Sequence, residues 1–304
     1  MSQDAELWSF DPVTLEMAFV AGPVCGGDAP FSMAVDSDGI AWILSVESLS
    51  LRLLDVNDPG ACTESPYLRR NPDFGLFGLS FASRSEADFC ADLYVHTYDG
   101  MGPFEEGPDL GQLGIIDPVS GDLTPFASID YDGGELSGTG DGRLYALAGT
   151  DPVKLIEYDR TTGGVIETIP LDGFNKTNAS AMAFFGGDLY LFIEAVPPAC
   201  FTCLNDTCPE ALAACEADEV CSDQLQCVVE TAMFTDECGG LLPEDIATCV
   251  TGPCEICGLR PRARVSRVLR FDLDGDRSVE EIVAQAPIRI VGAASSPCVP
   301  TGPI

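Results

Sequence analysis

GELSGTGDGRLYALAGTDPVKLIEYDRTTGGVIETIPL, Gly134 to Leu171, reads as four short strands joined by three turns. Leu144 and Ala146 alternate with Tyr145 and Leu147 after the Asp141-Gly142 turn. Leu155, Ile156 and Tyr158 then run into Asp159, and Thr162-Gly163-Gly164 turns the chain into a strand over Val165 to Ile169. The pattern predicts a four-stranded antiparallel meander. One such sheet exposes two edges and is not stable alone, so further copies must pack against its faces.

Such copies lie on either side. The second half of the unit, a strand ending in an aspartate followed by a turn and another strand, recurs as LWSFDPVTLEMAFV from Leu7, LRLLDVNDPGACTE from Leu51, LGIIDPVSGDLTPF from Leu113, LIEYDRTTGGVIET from Leu155 and VLRFDLDGDRSVEE from Val268. Asp11, Asp55, Asp117, Asp159 and Asp272 hold the same place in each, where a short carboxylate nucleates a turn by accepting from backbone amides. The first half recurs as FSMAVDSDGIAWIL, LFGLSFASRSEADFCADLYVH, ELSGTGDGRLYAL, ASAMAFFGGDLYLFI and, closing the chain, IRIVGAASSPCVPTGPI. The N-terminus begins with a second half and the C-terminus stops in a first half. The expected fold is therefore an all-β, five-bladed β-propeller closed by pairing of N- and C-terminal strands. Pro300 and Pro303 make the last strand ragged.

From about Val196 to Arg264 the repeat breaks inside the fourth copy. Ten of the 14 cysteines fall there: Cys200, Cys203, Cys208, Cys215, Cys221, Cys227, Cys238, Cys249, Cys254 and Cys257. Thr207-Cys208-Pro209-Glu210 has the form of a capping box with proline at the first helical position, a second helix is expected from about Glu219 to Ala232, and a third near Pro243-Glu244. Residues 1–195 and 265–304 are thus assigned to the propeller, and 196–264 to a small disulfide-rich α-helical insertion in blade four. Cys200-Phe-Thr-Cys203 and Cys254-Glu-Ile-Cys257 have the ligand types of a four-thiolate zinc site, but their separation and the six cysteines between them favour disulfides. Cys25, Cys62, Cys90 and Cys298, on the propeller, are expected to form two more bridges.

No apolar run approaches the ~20 residues of a spanning helix, and MSQDAELW lacks a signal region, so the sequence reads as a mature exported form. The cysteines place it in an extracellular, cell-surface or periplasmic compartment. With 49 acidic against 15 basic residues the net charge is -34, which excludes nucleic acid and anionic membrane surfaces as partners. No motif demands a cofactor; Ca²⁺ is the ion this acidity would suit. Asp272, Asp274 and Asp276 start like a calcium loop, and are the candidate metal ligands, although Arg277 stands where a sharp-turn glycine belongs and Val283 where a bidentate glutamate belongs. A β-turn is the competing reading. Asp130-Tyr-Asp132-Gly133 likewise reads as a turn.

His96, the only histidine, is expected at the surface, and no nucleophile elbow accompanies it. The innermost strands should carry Ser32, Met33, Gly78, Ser80, Gly138, Ser180, Ala181, Val291 and Gly292, a small-residue lining suited to tight packing. A propeller hydrolase would instead need carboxylates ~5 to 9.5 Å apart, for which Asp36, Asp38, Glu135 and Asp141 are the candidates.

PFSMAVDSDGIAWIL, FGLFGLSFAS, ELSGTGDGRLYAL, AMAFFGGDLYLF and IRIVGAASSPC together resemble uncharacterised exported β-propeller-like proteins and lipoproteins of myxobacteria. CFTCLNDTCPEALAACEADEVCSDQLQCVVE is similar to Cys-rich helical modules in secreted proteins of the same bacteria. The resemblance implies export and surface attachment and carries no catalytic residues; a lipidated N-terminal cysteine is not present in this sequence. The reading that results is a secreted or cell-surface propeller that binds a protein or glycan. A Ca²⁺-dependent lactonase or glycan hydrolase, and a self-assembling matrix protein, are the alternatives.

Overall fold

The computed structural model describes residues 1–85, 88–98, 105–149, 152–171, 180–195, 198–231, 242–254, 257 and 265–302. Side chains of residues 88–90, 195, 198–199, 201, 226–227 and 229–231 lie outside this set, and so do those of Cys90 and Cys227; Cys238 lies outside it altogether.

In chain order the strands are β1 (Leu7–Asp11), β2 (Glu16–Ala21), β3 (Pro30–Val35), β4 (Ile40–Ser45), β5 (Leu51–Asp55), β6 (Thr63–Glu64), β7 (Leu76–Ser85), β8 (Asp88–Tyr98), β9 (Glu105–Ile116), β10 (Leu123–Asp132), β11 (Glu135–Gly138), β12 (Leu144–Ala148), β13 (Lys154–Tyr158), β14 (Val165–Pro170), β15 (Ser180–Phe185) and β16 (Asp188–Ala195). Helices α1 (Pro198–Thr207), α2 (Pro209–Glu216), α3 (Glu219–Thr231) and α4 (Glu244–Thr251) follow, then β17 (Val265–Asp272) and β18 (Val279–Val283).

The strands form four four-stranded antiparallel sheets in meander order, β3 to β6, β7 to β10, β11 to β14 and β15 to β18, and one two-stranded sheet, β1 with β2. The arrangement is propeller-like, but the blade count differs from the expected five. Among the described residues the chain ends supply no fifth four-stranded sheet: Ser2 makes an isolated antiparallel bridge to Ile290, and Val291 N–H donates to the Met1 carbonyl at 3.1 Å. The reason lies in the last segment, where Pro297 and Pro300 remove donors from any ladder. The small sheet is nevertheless packed on both sides. Phe10 rests edge-on against Tyr190 and Phe192 of β16 at 5.8 and 5.7 Å, and Leu7 shares a core with Met33 and Ile43 of the first full sheet.

The five aspartates of the repeat nucleate their turns. Asp11 Oδ1 accepts from the amides of Val13 and Thr14 at 2.8 and 3.1 Å, and Asp117 Oδ1 from Val119 and Ser120 at 2.8 and 3.1 Å. Asp159 Oδ1 accepts from Thr161 and Thr162, both at 2.9 Å, and Asp55 Oδ1 from Asn57 at 2.9 Å. These amide bonds hold the carboxyls of Asp11, Asp117 and Asp159 below the usual carboxylate range.

Contacts divide the chain into two units: Met1–Ile193 with Val268–Val283 and Ile290–Ile304, and Glu194–Arg267 with Ala284–Arg289. The second unit contains the four helices, which enter the chain between the second and third strands of the β15–β18 sheet. Its core is built from Leu204, Leu212, Leu225, Val228, Ile246 and Val250 around cysteines. Cys200 is bridged to Cys257, Cys203 to Cys254, Cys208 to Cys249 and Cys215 to Cys221. The last bridge joins the end of α2 to the start of α3. Helix α1, which the sequence reading did not place, carries Cys200 and Cys203; α2 begins at Pro209, with Cys208 in the cap position but no side-chain cap bond.

In the first unit Cys25 is bridged to Cys62. Cys298 is exposed and free, against the expectation that it is paired, because among the described residues no cysteine stands opposite it.

Candidate functional site

The first strands of the four full sheets, β3, β7, β11 and β15, are neighbours, β3 beside β7, β7 beside β11, and β11 beside β15. Serines tie them. Ser32 Oγ donates to the Phe77 carbonyl at 2.6 Å, and Ser80 Oγ accepts from the Gly138 amide at 2.7 Å. Two glycines allow the approach. A Cβ on Gly78 would collide with the Gly134 carbonyl oxygen, and one on Gly138 with the Phe81 carbonyl oxygen.

The same close approach buries His96, which is fully inside rather than at the surface. Its ring lies against Gly134, its Nδ1 is 3.1 Å from the Thr97 carbonyl, and its Nε2 is buried without a partner. Burial lowers its pKa to about 4. Tyr158, whose ring centroid is 6.2 Å away, also holds a buried hydroxyl without a partner.

The structure does not bring the candidate acids together. Glu135 begins β11 and Asp141 lies in the turn beyond its other end, across a strand whose four residues rise roughly 10 Å. Asp36 is spent on its turn, accepting from the amides of Asp38 and Ile40, both at 2.9 Å. Asp141 is held by Arg143 at 3.0 Å and by Thr139.

Nor do the candidate metal ligands converge. Asp272 accepts from the amides of Gly275 and Asp276 at 2.8 and 3.0 Å, Asp274 is paired with Arg143 at 2.7 Å, and Asp276 accepts from the Ser278 amide at 2.9 Å. Each carboxylate already has a partner in a β-turn or ion pair. Among the described residues no group of three or more histidine, cysteine, aspartate or glutamate side chains could hold a metal ion.

What the fold does assemble is a groove at the end of the second sheet where β8 and β10 finish and β9 begins. It encloses about 420 Å³ and is lined by Arg69, Asp73, Tyr98, Glu105, Gln112 and Asp132, among others. Asp130 to Asp132 complete β10 instead of making a turn, and the turn falls on Gly133, whose φ of 75° suits glycine and whose amide donates to the Thr97 carbonyl at 3.0 Å. Thr97 Oγ1 accepts from the Gln112 amide at 2.8 Å, fixing β8 to β9 at the base, and Tyr98 stacks on Phe31 with centroids 5.5 Å apart. The result is a concave surface with carboxylates, an amide, a guanidinium and one aromatic ring. Sequence reasoning missed it because its residues are drawn from four separated segments.

No family model matches the chain, and no curated protein matches it. Among solved structures, a streptogramin B lyase is similar at a TM-score of 0.41 and 13% identity, over 96% of this chain and 80% of that one. Virginiamycin B lyase from Staphylococcus aureus is similar at 0.37 and 15%, over 62% and 56%, and a calcium-binding regucalcin from Agrobacterium tumefaciens at 0.35 and 15%, over 62% and 60%. The chain thus spans little more than half the length of the virginiamycin B lyase chain. Likeness at this level bears on no activity. The chain is an all-β protein with a propeller-like arrangement of antiparallel sheets and a disulfide-rich helical segment.

Proposed function

We propose that this chain is a secreted or cell-surface binding propeller, of the exported myxobacterial kind its motifs resemble, and that the groove over Thr97, Gln112 and Asp132 takes a hydroxyl-rich glycan. The observation that carries the reading is the lining itself. Carboxylates and an amide offer paired acceptors and donors to hydroxyls, while Tyr98 offers an apolar face, the combination by which concave sites orient a polar ligand. Five disulfides among the described cysteines favour an oxidising compartment. Among the described residues no helix is long and apolar enough to cross a membrane.

A glycan array probed with the full chain tests this, followed by calorimetric titration of the best binder into wild type, Glu105→Gln and Tyr98→Ala. Binding that weakens roughly tenfold in each variant is expected. Glycan binding unaffected by both variants, or capture of proteins only, would move the function off this groove.

A further inference from the structure

Glu135 and Ser137 pair across the sheet with Leu147 and Tyr145, so all four side chains share one face. That face builds a core with Met182 and Phe184 of β15. Glu135 therefore sits where the inner strand of the third sheet meets that of the fourth. It is 8% exposed, and Ser137 is 3% exposed. Among the described residues, neither side chain has a hydrogen-bond or ion-pair partner.

This junction departs from the two before it. There, Ser32 and Ser80 reach across to the neighbouring backbone at 2.6 and 2.7 Å. Between β11 and β15 no such serine bond is made among the described residues, and a carboxyl stands in the seam instead. Among the described residues, the surrounding elements bring it no charge. The residues of β15, SAMAFF, are uncharged; on β7 the only charged side chain is Arg84, at the far end and bound to Asp92 at 2.8 Å. Tyr145, on the same face of β12, lies 3.3 Å from Arg143 through its hydroxyl, and His96 lies against the backbone at Gly134. Burial alone, with no cation and no donor, pushes the Glu135 carboxyl up to about 8.

We propose that the seam at Glu135 and Ser137 is a binding site for one organic cation, an ammonium or guanidinium group, with Glu135 as its counter-ion and the Ser137 hydroxyl as a second acceptor. A buried carboxyl that lacks a partner is stabilised most by a ligand that supplies the missing charge and donors together. One carboxylate and one hydroxyl fall far short of the six to eight oxygens Ca²⁺ takes, so the site suits a compact organic cation over a divalent metal. The chain's net charge of -34 draws cations to it. The proton balance follows: the neutral carboxyl loses its proton to solvent as the cation enters, leaving a carboxylate-cation pair. Neither Glu135 nor Ser137 lines the Thr97–Asp132 groove, and neither reading depends on the other.

The test uses the full chain, with methylguanidinium as probe and methylurea as its neutral counterpart. Isotope-edited infrared spectra at pH 7 should show a protonated carboxyl in wild type that Glu135→Gln lacks. Saturating methylguanidinium should abolish that band, and titration in two buffers of different ionisation heat should report about one proton released per ligand bound. Methylurea should do neither, and Glu135→Gln, a near-isostere that keeps the fold, should weaken methylguanidinium binding at least tenfold. A carboxyl already ionised without ligand, no saturable binding, or equal affinity and proton release in Glu135→Gln would each overturn the proposal.

Discussion

Arg143 and Asp274, 131 positions apart, meet in an ion pair of 2.7 Å that joins the third sheet to the β17–β18 turn. The same guanidinium holds Asp141 at 3.0 Å and lies over the rings of Tyr145 and Phe184, 5.8 and 5.9 Å from their centroids. Asp274 is thereby withdrawn from the acidic loop that resembles a calcium site. Its partner is half-buried, so the contribution exceeds that of a solvated surface pair. Replacing Arg143 with methionine should cost about 1 to 2 kcal/mol, read as a lowered urea midpoint at unchanged slope.

The same pairing makes a prediction about calcium. Since Asp272, Asp274 and Asp276 all have partners, EDTA should leave the unfolding temperature unchanged, and Ca²⁺ should do no more than Mg²⁺ at equal ionic strength. A saturable, Ca²⁺-specific rise that vanishes in Asp276→Asn would mean that the loop rearranges around the ion.

Two buried groups on either side of Gly134 shape stability in opposite directions with pH. Glu135 has a folded pKa raised from 4.5 to about 8, so its neutral form favours the fold at low pH, and that contribution is lost as pH rises from about 4.5 through about 8. His96 has a folded pKa lowered from 6.5 to about 4, so its contribution is present above 6.5 and is lost as pH falls toward 4. Glu135→Gln should therefore stabilise the chain at pH 8, on the order of 2 to 3 kcal/mol, and have little effect near pH 4. His96→Phe should flatten the acid limb of the same profile. Chemical denaturation across pH 4 to 9 measures both.

Gly78 and Gly138 are required by proximity to backbone, not by their own dihedral angles. Alanine at either meets a carbonyl oxygen that no rotamer change can move. A loss of roughly 3 kcal/mol or more is expected for Gly78→Ala, against about 1 kcal/mol or less for alanine at Gly302, where nothing lies nearby. Thermal unfolding of the two variants side by side decides it.

Alkylation of the native, unreduced protein should modify Cys298, which is exposed and free, while Cys25, Cys62 and the eight bridged cysteines of the helical unit resist until a reductant is added. Peptide mapping by mass spectrometry reads the outcome. A protected Cys298 would show that it is paired.

The local grammar of the repeat was open to reading because it is written in adjacent residues. An aspartate two or three positions before free amides makes the same turn wherever it occurs, which is why Asp11, Asp117 and Asp159 could be placed from spacing alone. The burial of His96 was not open to reading, because it depends on the absence of side chains at Gly78 and Gly134, one on the paired strand and one in the link between the second and third sheets. The groove failed for the same reason: Arg69, Tyr98, Glu105 and Asp132 gain meaning only once three strand ends are brought level. At the termini the repeat pattern promised a whole sheet, but pattern counts apolar positions and not donors, and the prolines of the last segment lack the donors.

The serine bonds between inner strands have a consequence for how such a chain can change. Ser32 and Ser80 address the main chain of the next sheet, never a side chain. A joint that recognises only backbone is indifferent to the sequence it grips. Each sheet can then accumulate substitutions, or take up a stretch as long as the helical unit between two of its strands, without its neighbour having to change in step.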